Sequence, residues 1–192
     1  FNGKQQLKIT TWNTRGLLGN ISTFRPGACA KFNSLKRLID SHQIVLLQET
    51  HGTPADVDIL DVSFPSHKFF ASLGENRNAG GIISAVDRKI INKCDNIDID
   101  RGFAGRHLTL SLSIEGKTAF FTNTHLVPNA REYVIDLCEY IKQVVSGLTN
   151  GFGIIAGDFN FVDPDEGRMH LDDATVHSSN NSYYGIFHNA LG

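Results

Sequence analysis

The stretch that most constrains the fold runs Ile154-Ile155-Ala156-Gly157-Asp158-Phe159-Asn160. Its short apolar run is typical of a buried strand, and Gly157 marks the point where the backbone turns. Alternate residues of an extended chain point the same way, so Asp158 and Asn160 are predicted to share one face at the carboxyl end of this strand. That end is where α/β sheets bind their ligands. An Asx turn that only satisfies loop amides explains the stretch equally well when it is taken alone.

The composition is that of an ordinary globular domain. The 192 residues are 41% hydrophobic and 20% charged, and the formal net charge is −2. A polyanionic partner would therefore be bound by a local basic patch rather than by a basic protein overall. Residues 1–192 are expected to form a single domain with a sizeable core.

Cysteine usage and hydropathy bear on the compartment. Cys29, Cys94 and Cys138 are widely spaced and include no CxxC pair. Such a set favours a reducing, intracellular compartment and argues against a zinc site. No apolar run approaches the ~18 residues of a membrane span, and the start carries no secretory pattern. Because the chain opens at Phe1, we expect a fragment of a longer polypeptide.

Hydrophobic periodicity predicts alternating strands and helices. Strands are expected at residues 7–12, 44–47, 68–71, 80–86, 106–114, 118–125 and 153–157, and helices at 28–41, from Thr53 onward and at 129–147. The strict alternation over 106–114 predicts a half-exposed antiparallel strand. Polar side chains collect at the ends of four strands, and these are Asn13, Glu49, His125, and Asp158 with Asn160. Hydrogen bonding to loop amides alone is a poor explanation for polar side chains at the ends of four strands.

These motifs together resemble the endonuclease/exonuclease/phosphatase superfamily, the group of apurinic endonucleases and pancreatic-type deoxyribonuclease. The matching motifs are Thr11-Trp12-Asn13, Leu47-Gln48-Glu49-Thr50, Asn123-Thr124-His125-Leu126 and Gly157-Asp158-Phe159-Asn160. The fold expected is an α/β sandwich, two mixed sheets packed face to face with helices outside in an α/β/β/α arrangement. Within the superfamily, residues 12–17 and 158–161 are most similar to the endonuclease domains of non-LTR retrotransposons, which nick target DNA.

The resemblance implies a role for each strand-end residue. Glu49 would hold a Mg²⁺ ion, or Mn²⁺ in its place, with Asn13 assisting, since Mg²⁺ prefers one or two carboxylates and keeps several waters. Asp158 would orient or deprotonate the attacking water. Asn160 would hydrogen-bond the scissile phosphate, and His125 would contact the phosphate or help to protonate the leaving oxygen.

Two arginines are candidate phosphate contacts. Arg106 opens the central hairpin, where a structural ion pair is an equally good interpretation. Arg15 lies in a loop near the expected catalytic end, although solvated surface charge is the commoner fate of such residues. Arg15 also stands where some relatives have an acidic metal ligand, which makes a second metal site doubtful.

The sequence departs from the family at its C-terminal end. Nothing after Asn160 matches the family's Ser-Asp-His signature, since Leu171-Asp172-Asp173 lacks the His, and His177 and His188 lack a preceding Asp. The fold is accordingly expected to lack its last strands. Three explanations stay open: the N-terminal part of a longer enzyme, completion by another chain, or a domain that has lost catalysis and serves as a structural subunit. The persistence of the upstream site residues favours the first.

The main hypothesis is a Mg²⁺-dependent phosphodiesterase of retrotransposon type, acting on double-stranded DNA. It would be nuclear or otherwise associated with nucleic acid, with a downstream reverse transcriptase region or a second chain as a further partner. A competing enzyme hypothesis keeps the chemistry and changes the substrate to RNA, a phospholipid or an inositol phosphate, because loop shape decides that choice. The other hypothesis is the inactive structural subunit, for which an exposed sheet edge would be typical.

Overall fold

The computed structural model describes residues 6–19, 26–127, 131–147, 151–160, 168–169 and 176–177, with the backbone alone for 26–29, 145, 168–169 and 176–177. The chain divides into two compact units, one of residues 1–125 with 150–158 and one of 126–149 with 159–192. We describe each unit by itself.

The first unit contains two mixed sheets of four strands each. One sheet has the spatial order β1 (Ile9–Asn13), β2 (Ile44–Gln48), β4 (Ile82–Asp87), β3 (His67–Ser72). The other has the order β5 (Asn96–Asp100), β6 (His107–Ile114), β7 (Lys117–His125), β8 (Gly151–Asp158). In each sheet one pair is parallel, β1 with β2 and β7 with β8, and the remaining pairs are antiparallel.

Three helices belong to the same unit: α1 (Pro26–Ser41), α2 (Pro54–Ser63) and α3 (Arg88–Ile91). The predicted start of α2 at Thr53 is observed, and the Asp56 carboxylate accepts a 2.8 Å hydrogen bond from the Thr53 backbone N–H. This reciprocal cap satisfies a donor that a helix start otherwise leaves unpaired.

The hydrophobic core of this unit has two layers, separated by the first sheet. Strand β2 is buried on both faces, which explains its uninterrupted apolar sequence. The layer between helices and sheet contains Leu35, Ile39, Val57, Leu60, Val45, Leu47, Ile83 and Ala85. The layer between the sheets contains Ile44, Leu46, Ile82, Val86, Leu108, Leu110, Leu112 and Phe121. The expected α/β fold of two mixed sheets packed face to face and flanked by helices is confirmed.

The outer face of β6 differs from expectation. This strand was predicted to be half-exposed, yet His107 and Thr109, the polar residues that alternate with its first leucines, have exposed fractions of 0% and 2%. Thr109 Oγ1 lies 3.0 Å from His107 Nε2 and 2.9 Å from Thr122 Oγ1, so these polar groups are buried as a hydrogen-bonded set. The prediction of a half-exposed strand was wrong for its first half, because alternation cannot distinguish solvent from paired polar neighbours.

The second unit contains α4 (Arg131–Ser146) and a short antiparallel pair, β9 (Arg168–Met169) with β10 (Val176–His177). The buried residues of α4 are Val134, Leu137, Cys138 and Ile141, which have the spacing of one helix face. None of the helices in the described parts of the chain has the length and apolarity needed to cross a membrane.

Candidate active site

The carboxyl ends of β1, β2, β7 and β8 meet at one end of the sandwich. Within the sheets, Asn13 is in register with Gln48, and His125 with Asp158. Between the sheets, Asn13 Nδ2 donates a 2.6 Å hydrogen bond to Asp158 Oδ2, and His125 Nε2 lies 3.3 Å from Glu49 Oε1. Four of the predicted site residues are therefore held in one cluster by contacts across the sandwich.

Three of these side chains have the chemistry and spacing of a metal site. One ligand atom from each of Glu49, His125 and Asp158 lies within 4.8 Å of the other two. Carboxylate oxygens are the ligands that hard divalent cations prefer, so the two carboxylates of this set fit Mg²⁺ or Mn²⁺. Asn13 Oδ1 accepts a 3.0 Å bond from the Arg15 backbone N–H, and an amide oxygen has a second lone pair for a cation.

His125 is almost fully buried and lies between the Glu49 carboxylate and the Arg106 guanidinium. Arg106 Nη1 donates a 2.7 Å hydrogen bond to His125 Nδ1, on the side of the ring away from Glu49. Burial lowers the pKa of His125 below its usual value and Arg106 lowers it further, while Glu49 and Asp158 oppose the shift. The ring is thus biased toward its neutral form. Arg106, predicted to contact a substrate phosphate, has a protein partner in the site.

Backbone strain is concentrated in the loops that follow the site strands. Among the residues that the structure describes, five non-glycine residues have positive φ: Arg15 at 47°, Glu49 at 49°, His51 at 58°, Glu115 at 51° and Asn160 at 50°. Only Glu115 belongs to a hairpin turn, and the other four follow β1, β2 or β8. Such conformations persist where surrounding contacts hold them, and they are common at functional sites.

Close backbone packing holds the strained turn that carries Glu49. The Glu49 carbonyl accepts from Gly16 N at 2.7 Å, and Thr50 N donates to Gly81 O at 2.9 Å. Gly81 has φ +89°, and a Cβ there would lie 2.6 Å from Thr50 Oγ1. A glycine is therefore required where the β4 side of the sheet supports the Glu49 loop.

A buried amide pair beneath the site is a feature that the sequence did not indicate. Gln48 Nε2 donates to Asn123 Oδ1 at 2.6 Å, and Asn123 Nδ2 donates to Leu47 O at 3.2 Å and Ile83 O at 3.0 Å. Gln48 is 1% exposed and Asn123 is 0% exposed. Both amides belong to motifs in which the sequence analysis assigned a role to a different residue, Glu49 in one motif and His125 in the other. Sequence offers no signal that two residues so far apart pair across the sheets.

The remaining predicted site residues, Arg15 and Asn160, make other contacts than the four residues of the cluster. Arg15 is exposed, and its carbonyl accepts a 2.6 Å hydrogen bond from Lys31 Nζ. Asn160 belongs to the second unit, where its Nδ2 donates to Leu126 O at 2.7 Å. Leu171-Asp172-Asp173 and His188 lie outside the described residues, and only the backbone of His177 is described.

The protein is a two-sheet α/β sandwich that carries acidic, amide and imidazole groups at the carboxyl ends of its strands. Residues 10–190 match the model of the Endonuclease/Exonuclease/phosphatase family, and the chain belongs to that family. Its members are divalent-metal-dependent phosphodiesterases and nucleases. No curated protein matches the sequence significantly.

Solved structures of related fold include two DNA-processing proteins. TDP2 from D. rerio, complexed with a single-strand DNA product, is 20% identical with a TM-score of 0.58, over 83% of this chain and 62% of that one. The AP endonuclease LMAP from Leishmania major is 18% identical with a TM-score of 0.61, over 96% of this chain and 65% of that one. At these identities the likeness establishes the fold alone. This chain spans less than two thirds of the length of either protein.

Proposed function

We propose that this protein is a divalent-metal-dependent phosphodiesterase that cleaves DNA by water attack on a backbone phosphate. The observation that carries the proposal is the meeting of Glu49, His125 and Asp158, whose ligand atoms lie within 4.8 Å of one another. Two carboxylates beside an imidazole suit both cation binding and general acid–base chemistry. Family membership supports the same class of reaction.

Glu49 would hold the cation, with Asn13 Oδ1 assisting. Mg²⁺ is the proposed metal because it is bound by one or two carboxylates and keeps several waters, and Mn²⁺ accepts the same oxygen ligands. When bound, the cation neutralises charge that develops on the phosphate. The strained turn at Glu49, with φ of 49°, supports a functional position for this carboxylate.

Asp158 would orient and deprotonate the attacking water, a contribution of about 10²–10⁴-fold. The 2.6 Å bond from Asn13 Nδ2 restrains this carboxylate in one orientation. His125 and Asn160 would hydrogen-bond the phosphate. Arg15, exposed two residues after Asn13, would contact a phosphate of the bound strand.

DNA is the proposed substrate on two grounds. The D. rerio TDP2 structure holds a single-strand DNA product, and the Leishmania major protein is an AP endonuclease, so the fold is used on DNA in both. The motifs at residues 12–17 and 158–161 support a finer proposal, that the protein nicks double-stranded DNA in the manner of a retrotransposon endonuclease.

Nicking of supercoiled plasmid in the presence of Mg²⁺ tests this function. Wild-type chain should nick, and Glu49→Gln and Asp158→Asn should each lower the rate by at least a hundredfold. Asp58→Asn, which alters an exposed carboxylate on α2, is the matched control and should nick normally.

Metal binding, measured by calorimetry on the same variants, gives a second readout. Glu49→Gln should weaken Mg²⁺ binding at least tenfold, while Asp58→Asn should not. A folded wild-type chain that neither binds Mg²⁺ nor nicks DNA would refute the proposal for this chain, in favour of a structural subunit or of an enzyme that needs further polypeptide. Cleavage of RNA or of a phosphoinositide in preference to DNA would refute the substrate assignment only.

A further inference from the structure

The contact between Arg106 and His125 fixes where the imidazole proton lies. His125 Nδ1 is 2.7 Å from Arg106 Nη1. A guanidinium carries only donors and is always protonated in proteins, so Nδ1 must be the acceptor of this bond. An imidazole that accepts through Nδ1 carries its single proton on Nε2. This Nε2–H faces Glu49 Oε1 at 3.3 Å.

We propose that Arg106 is a positioning residue that holds His125 as its Nε2–H tautomer, so that the ring offers the site a hydrogen-bond donor. In this tautomer Nε2 has no lone pair for a cation or for a proton. The metal would then be held without His125, by oxygen ligands alone. A neutral Nε2–H donates a hydrogen bond to a phosphate oxygen and keeps its proton.

The surroundings of Arg106 fit a fixed side chain. Its backbone carbonyl accepts from His125 N at 2.9 Å, and its backbone N–H donates to Phe103 O at 2.9 Å. A Cβ added at Gly80 would lie 3.6 Å from the guanidinium carbon, so the loop backbone lies against the arginine head. Arg106 and His125 are thus joined through both backbone and side chain.

Two roles for Arg106 make different predictions. An arginine that contacts a phosphate directly strengthens DNA binding, and its loss raises KM and reduces the salt dependence of binding by about one phosphate contact. An arginine that acts through His125 leaves both nearly unchanged and lowers kcat. The use of this donor on a phosphate rests on the proposed function, whereas the tautomer does not.

The first experiment is ¹⁵N NMR of the histidine side chains in metal-free protein above the imidazole pKa. The His125 signals are assigned by their loss in His125→Gln. In wild type, long-range couplings should identify protonated Nε2 and bare Nδ1. Arg106→Met should move the Nδ1 resonance toward that of an unbonded nitrogen, and Arg106→Lys, which keeps a donor, should restore part of the difference. Arg101→Met, an exposed neighbour whose Nε donates to Ala71 O, is the control and should change nothing.

The second experiment is the kinetics of nicking by the same variants. Arg106→Met should lower kcat about tenfold, with KM and the salt dependence of DNA binding within twofold of wild type. A wild-type His125 protonated on Nδ1, or an Arg106→Met variant with unchanged Nδ1 resonance and a reduced salt dependence, would overturn the proposal. Absence of nicking with the expected tautomer would instead reject the proposed function and leave the Arg106 assignment standing.

Discussion

The Asn13 side chain donates a 2.6 Å hydrogen bond to Asp158 Oδ2, which joins two residues separated by 145 positions in the chain. Asn13 ends β1 in one sheet, and Asp158 ends β8 in the other. Sequence analysis assigned Asn13 to the metal, and the observed amide contact adds a second task, because it orients the proposed general base. The two tasks use different atoms of the same amide, Oδ1 and Nδ2.

Asn13→Ala should lower the nicking rate about 10–100-fold, the usual cost of removing a group that orients another site residue. The double variant with Asp158→Ala should lose less activity than the two single losses combined, since the part of the Asn13 effect that acts through Asp158 is already gone. Rates of plasmid nicking for the four members of this cycle test the coupling. Additive losses would show that Asn13 acts mainly elsewhere, for example on the metal.

Asn123→Ala should destabilise the protein by about 2–4 kcal/mol, because it removes one acceptor of the buried Gln48 amide and the side-chain donor that the Leu47 and Ile83 carbonyls share. Urea unfolding followed by circular dichroism measures the change. Asn96→Ala is the matched control, since the Asn96 side chain is exposed and, among the described side-chain contacts, bonds only the neighbouring Asp98. That control should stay within about 0.5 kcal/mol of wild type.

The strands that end at the site could be predicted from the sequence because burial shapes their hydrophobic patterns. Strand β2 is buried on both faces, so its apolar run stands out, and β6 and β7 alternate around a tight Glu115-Gly116 turn. Strand β5 was missed because its sequence Asn-Ile-Asp-Ile-Asp has exposed acidic residues and pairs only with β6. An exposed edge strand does not need an apolar face, so its hydrophobic pattern is weak.

The site was only partly accessible to the same reasoning. Asn13, Glu49, His125 and Asp158 were predicted from strand ends, and the structure brings them together. The bond from Arg106 to His125 could not be predicted, because it depends on the register of two strands and the packing of a glycine loop. The roles of all these residues, Asn160 and Arg15 included, stay predictions until variants are measured.

Stability should fall as the pH drops below 6.5, in part through His107. Burial lowers the pKa of His107 from 6.5 to about 4, and Asp100 opposes this. The unfolded chain binds a proton near pH 6.5 and the folded chain only near pH 4, so this contribution is complete above pH 6.5 and is lost between those values. The loss amounts to about 3 kcal/mol at most.

Urea unfolding of wild type and His107→Gln at pH 7 and pH 5 isolates this contribution. Other histidines whose pKa is lowered by burial, His67 among them, act with the same sign in both proteins and cancel in the comparison. Wild type should lose about 2 kcal/mol more than His107→Gln over this range. Equal losses in the two proteins would contradict the assignment to His107.

Gly81 and Gly116 provide a matched test of how the Glu49 loop is supported. Both have positive φ, +89° and +72°, so alanine at either position carries a backbone cost of about 1–2 kcal/mol. A Cβ at Gly116 meets nothing within 4 Å, whereas a Cβ at Gly81 would lie 2.6 Å from Thr50 Oγ1 and 3.0 Å from His51 N. Only the second substitution must displace the turn that follows β2.

Gly116→Ala should therefore cost about 1–2 kcal/mol and leave nicking unchanged, since the hairpin tip is remote from the site contacts. Gly81→Ala should cost a further 1–3 kcal/mol or so from overpacking. It should also weaken Mg²⁺ binding, because Thr50 and His51 cannot move without shifting Glu49. Urea unfolding and calorimetry on both variants separate the two effects. If Gly81→Ala binds Mg²⁺ as tightly as Gly116→Ala, Glu49 is not held in place through this contact, and its position depends instead on the Gly16 bond to its carbonyl.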